Sequence, residues 1–207
     1  MTTQVAVLDP RTSPTTVDLS PDVSARTQLA SAGAAAHGVG HLYLNMSVLD
    51  DSTALITNLR PIIYKKGVAS PTWVAAAGGG GCGDVYERVF HLDLDRLTLT
   101  DKGVEGSPDA PGVTRQPRTE PIGKAFSVSK DEPAQIRVDA QACSAFYEWG
   151  LQIQYSVNGH EYSEVIGKPA DPLRSIGSLN SAIPAYIQET ATELTRAGTA
   201  KKAPQCD

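Results

Sequence analysis

The run Tyr147-Glu148-Trp149-Gly150-Leu151-Gln152-Ile153-Gln154-Tyr155-Ser156-Val157, closed by Asn158-Gly159, decides the fold class. Its large apolar side chains alternate without a break against Glu148, Gly150, Gln152, Gln154 and Ser156. A period of two puts alternate side chains on opposite faces, so the run reads as a long strand with one buried face. Asn-Gly is the preferred pair for a type I′ turn, because both central positions need positive φ. Tyr162 to Ile166 then returns as the hairpin partner.

Working outward, the same alternation recurs in shorter pieces. Leu42, Leu44, Met46 and Val48 mark a strand from His41, and Asp50-Asp51-Ser52 supplies a turn. Thr53 to Leu59 and Ile62 to Lys65 form a second strand interrupted at Pro61, which implies an edge position or a bulge because proline has no N–H to donate. Further strands are predicted over 72–76, 85–94, 125–128 and 135–140, with a brief continuation at Leu97 and Leu99 before a turn at Asp101-Lys102-Gly103. Residues 104–121 hold four prolines among Gly, Ser and Asp and read as a long surface loop. With no helical crossovers between strands, the expectation is all-β: an antiparallel two-sheet sandwich of about seven or eight strands over residues 39–175.

Both flanks read differently. Residues 1–38 lack a sustained period and are expected to be an extended or disordered arm, with Val17-Asp18-Leu19 as one short edge strand. Residues 176–207 are expected to hold a short helix from Ile183-Pro184 to about Arg196, with Ile187, Ala191 and Leu194 at helical spacing, then a tail.

Composition excludes several functions. The chain has 207 residues, 23 acidic against 18 basic side chains and a net charge of -5, with no basic run longer than Lys65-Lys66 or Lys201-Lys202. Nucleic acid is therefore not the expected partner, since phosphate binding needs clustered Lys and Arg. No stretch approaches the ~20 apolar residues of a membrane-spanning helix, so no direct membrane insertion by this chain is expected. Cys82, Cys143 and Cys206 contain no C-x-x-C pair. They allow one disulfide plus a spare thiol, with Cys82–Cys143 the better pair, or equally three reduced thiols.

Candidate chemistry is sparse. Gly78 to Gly81 suggests a phosphate loop, but no Lys-Ser or Lys-Thr follows, and the next element reads as a strand rather than a helix N-terminus. His91, Asp93 and Asp95 share one strand face by alternation and form a candidate divalent-metal set, though a plain solvent-facing surface explains them better. No Gly-x-Ser-x-Gly elbow is present, and Asn45-Met46-Ser47 is a sequon lying inside a strand. No cofactor is expected. Trp73 and Tyr86 flank the glycine loop and are candidate aromatic contacts.

Three blocks, Asn58 to Lys66, Phe90 to Asp95 and Tyr147 to Gly159, together resemble the uncharacterised extracytoplasmic β-domains of actinobacterial membrane-anchored proteins, some linked to a cytoplasmic helix-turn-helix segment. The resemblance covers roughly residues 40–168. It implies an all-β ectodomain in which the cysteine before the Glu-Trp strand, Cys143, is disulfide-bonded, and it carries over no catalytic residue. Location is extracytoplasmic if a longer parent supplies a membrane tether, and otherwise cytoplasmic. The leading expectation is a non-enzymatic binding or sensing module for an unknown protein or envelope ligand, reading it through loops 67–71, 78–84 and 104–121. The rivals are a metal-assisted hydrolase using His91, Asp93 and Asp95, and an assembly subunit pairing through an edge strand such as the one with Pro61.

Overall fold

The hairpin announced by the Tyr147–Gly159 run is present in a computed structural model, which describes residues 4–14, 33–76, 86–109, 116–177, 179, 181–190, 193–200, 203 and 206. Strands β10 (Phe146–Val157) and β11 (His160–Ile166) pair antiparallel, and Asn158 and Gly159 take φ of 51° and 80° as the type I′ turn demands. On its other side β10 pairs with the 15-residue β4 (Thr53–Gly67), with register shifts at Glu148/Trp149 and Gln154/Tyr155. These irregularities bend and twist so long a ladder. Beyond β8 (Ser127–Ser129), which meets only Thr53 to Leu55, no described strand covers the outer side of β4, so Pro61 lies on an edge.

Among the described residues the chain is all-β, in two sheets. The smaller sheet has four strands in the order β3 (Val39–Met46), β9 (Ala134–Gln141), β6 (Glu87–Asp93) and β7 (Thr98–Glu105). Leu44, Phe90, Leu92, Ile136 and Val138 on this sheet bury against Ile56, Leu59, Trp149, Leu151 and Ile153 of the larger one. That is the core expected of two facing sheets, each with one apolar face.

Several expectations need correction. Among the described residues the larger sheet has ten strands, so the total exceeds seven or eight, and both sheets are mixed rather than antiparallel. β6 runs parallel to β9, and β12 (Leu173–Ile176) runs parallel to β2 (Ala35–His37). Parallel partners need long crossovers, and nothing local in a sequence marks them.

The first 38 residues are not wholly an arm. β1 (Gln4–Val7) lies between β2 and β5 (Trp73–Ala76), with Ala6 and Val7 fully buried. The predicted strand at Val17-Asp18-Leu19 falls outside the described residues.

The predicted helix from Ile183 to Arg196 is instead a hairpin of β13 (Ile183–Thr190) and β14 (Glu193–Ala200), and the described residues contain no helix, hence none long and apolar enough to cross a membrane. Its thin helical stripe is overridden by docking. β13 adds parallel to β5, and the Tyr186 ring meets Trp73 edge-on at 5.6 Å. Asp101-Lys102-Gly103 is likewise no turn between elements. It lies within β7, where Gly103 at φ 82° accompanies a register shift against Val89/Phe90.

Candidate functional site

The three residues of the candidate metal set take separate tasks. Asp93 ends β6 and accepts the backbone amides of Asp95 at 2.9 Å and Arg96 at 3.0 Å, closing the turn in which Leu97 adopts φ 57°. Strand alternation stops there, so Asp95 does not continue the His91–Asp93 face. Its carboxylate instead accepts the Cys143 amide at 2.7 Å, the Ser144 amide at 3.1 Å, the Ser144 hydroxyl, and the Tyr147 hydroxyl at 2.6 Å. Burial acts to raise its pKa, but the bonds from Ser144 and Tyr147 outweigh it and hold the carboxyl below its ordinary value. Among the described residues no three His, Cys, Asp or Glu side chains are grouped as metal ligands.

His91 belongs to a different row. It aligns with Asp139 of β9, which aligns in turn with His41 of β3. His41 Nδ1 lies 2.6 Å from Asp139 Oδ1, and Arg137 reaches Asp139 at 2.8 Å, Glu87 at 2.7 Å and Glu105 at 2.6 Å. Glu87 is almost fully buried, and that burial pushes its pKa up. Asp139 moves the other way: burial opposes ionisation, but the bonds from His41 and Arg137 prevail. This network fixes the outer face of the small sheet.

The remaining sequence candidates scatter. Trp73 is buried and donates its indole N–H to the Thr12 carbonyl at 2.8 Å, so it is a core residue and not an exposed contact. Tyr86 is half-buried just before β6. Gly78 to Gly81 and Cys82 lie outside the described residues. The structure bonds Cys143 to Cys206, with Cα atoms 5.3 Å apart, and so replaces the Cys82–Cys143 pairing. The bond holds Cys206 beside the segment that enters β10, and Ala203 is buried.

The arrangement that sequence reasoning missed lies on the outer face of the large sheet. Tyr64 lies along the sheet instead of standing off it: its hydroxyl crosses β10 and donates to the Gly167 carbonyl at 2.9 Å. Gly150 makes this possible, since a Cβ there would stand 2.6 Å from that hydroxyl and 2.3 Å from the Gly167 oxygen. On one side of Tyr64, Arg60 donates to Gln152 at 2.5 Å and Asn58 donates to Gln154 at 3.0 Å, pairing residues aligned across β4 and β10. On the other side Lys65, Glu148 and Arg174 align across β4, β10 and β12, and Arg174 donates to Glu148 at 3.3 Å. One signal was legible: a glycine inside an otherwise unbroken strand marks close approach by another group.

Chemically this face offers an aromatic ring, planar amides and guanidinium groups on the longest ladder of the fold. Comparison of the chain with family models, with curated proteins and with solved structures found no match.

Proposed function

We propose that the chain is a non-catalytic binding or sensing module acting outside the cytoplasmic membrane, with the Tyr64 face of the large sheet as its contact surface. The observation that carries this reading is the polar array around Tyr64, in which Asn58, Arg60, Gln152 and Gln154 are held in pairs on a rigid ladder with Asn58 and Arg60 exposed. Side chains fixed by their neighbours bind with little further loss of freedom. The Cys143–Cys206 disulfide supports an oxidising compartment, where such bonds persist. The resemblance of the three sequence blocks to actinobacterial ectodomains points the same way.

The hydrolase reading needs His91, Asp93 and Asp95 as one donor set, and the turn at Asp93 sends Asp95 to the Cys143 segment. The binding reading is tested by NMR of the full chain titrated with solubilised envelope polymers and proteins. Saturable shifts confined to the side-chain amides of Asn58, Gln152 and Gln154 are expected. Shifts confined to the small sheet, or none across the panel, would refute it.

A further inference from the structure

We propose that the Tyr64 face binds an oligosaccharide bearing carboxylates, a uronate-type glycan. The inference rests on the binding-module reading and names its ligand class. Two arginines frame the face. Arg60 is tethered through Nε to Gln152, and Arg174 through Nε to Glu148. Among the described residues neither has a protein partner at its terminal nitrogens. A guanidinium pinned at Nε presents those nitrogens as a planar fork, which matches a carboxylate through two parallel hydrogen bonds.

Charge favours the same ligand. Among the residues aligned across β4, β10 and β12 on this face, Arg60, Lys65 and Arg174 stand with one carboxylate, Glu148; Glu161 lies toward the hairpin tip opposite Ser156, and the turn after Gly167 adds one charge of each sign, Lys168 and Asp171. The chain as a whole has a net charge of -5, so this is a basic patch on an acidic protein, and it draws anions to one place.

Spacing selects a polymer. Arg60 and Arg174 align with Gln152 and Glu148, four residues apart on β10, roughly 13 Å at the usual strand rise. One carboxylate cannot span that distance, whereas a chain of sugar rings with repeated carboxylates can. Between the arginines, Tyr64 supplies apolar surface for the C–H face of a sugar ring. Gln152 and Gln154 each accept one bond through Oε1 and keep an amide NH₂ for hydroxyl groups. A peptide joining by strand addition would pair along the open edge of β4, where Pro61 has no N–H to donate, and would leave the Gln152 and Glu148 ends of the face untouched.

The test is calorimetry on the full oxidised chain at low salt with oligogalacturonate, its methyl ester, polyglutamate and a glycerol-phosphate polymer, with NMR mapping of each. Oligogalacturonate is expected to bind on the Tyr64 face at least about tenfold more tightly than the other three, and Arg60→Gln, Arg60→Lys and Arg174→Gln each to weaken it by about tenfold. Arg60→Lys keeps the charge but lacks the fork, and unchanged thermal unfolding of all three variants shows that they fold. Equal binding of polyglutamate or the phosphate polymer would mean charge alone is recognised, and equal binding of the ester a neutral glycan; either overturns the carboxylate-glycan inference and leaves the binding module standing. Variants that bind as the parent does overturn it as well. No shift on this face with any polymer defeats both readings.

Discussion

Tyr147, buried in the core, donates its phenol hydrogen to Asp95 at 2.6 Å across 52 positions of sequence. The carboxylate thus ties the turn after β6 to the segment that carries Cys143 and enters β10. Asp95→Ala leaves the Cys143 and Ser144 amides and the Tyr147 hydroxyl without their acceptor, and a loss of about 2–4 kcal/mol is expected in urea unfolding. Because the folded pKa lies below the unfolded one, near 3.8, this stabilisation is complete above that value and disappears as pH falls through the folded pKa. The parent and Asp95→Ala should therefore converge in stability at strongly acid pH. A constant gap down to that range would count against the role.

Arg137 is the sole cation joining Glu87, Glu105 and Asp139 among the described ion pairs. Arg137→Met should cost about 3–5 kcal/mol, since it strands the buried Glu87 beside two other carboxylates. Adding Glu87→Gln should recover part of the loss. Equilibrium unfolding of the two variants measures both effects, and a double variant no more stable than the single one contradicts the assignment.

The disulfide closes a sequence separation of 63 residues. Chain-entropy reasoning then gives about 4 kcal/mol of stabilisation. Cys206→Ser should show that deficit in guanidinium unfolding, and the difference from the parent should vanish once a strong reductant is present. A persistent difference under reductant would locate the effect in packing instead.

His37 is buried beside Gln4, with its Nδ1 3.0 Å from Gln4 Oε1, and burial lowers its pKa from 6.5. A histidine neutral in the fold but protonated in the unfolded chain costs stability as pH drops below the unfolded value, down to the folded one. Thermal unfolding should thus show stability falling between pH 7.5 and 5.5, by at most about 1.4 kcal/mol for one such group, and this loss should be absent in His37→Gln. Equal pH slopes for the two proteins would exclude this source.

The sequence was most legible where structure is local. Tyr147 to Gly159 revealed its strand and turn because alternation and Asn-Gly chemistry act between near neighbours. Gln4 to Val7 carried the same apolar signal, but four residues cannot declare partners at Ala35 and Trp73. Ile183 to Thr190 was misread because Ile187, Ala191 and Leu194 fit a helix as well as a strand, and only contact with β5 decides between them. The Tyr64 face stayed hidden for a related reason: Arg60 with Gln152, and Tyr64 with Gly167, meet across strands distant in sequence. His91, Asp93 and Asp95 failed as a set because Asp93 is a turn-former as well as a strand residue, and at the end of β6 the turn prevailed.

The large sheet is continuous, but among the described residues its two halves meet at one narrow place, where Ser175 and Ile176 align with Ala36 and His37. On one side of that seam lie β10 and β4, the longest ladder; on the other lie β1, β5 and the β13–β14 hairpin. Cys143 enters the first half and Cys206 follows the second, so the covalent bond sutures the halves across their weakest junction. Under mechanical load the seam is where the sheet would first part, and the crosslink sets how far the two sides can separate before they close again.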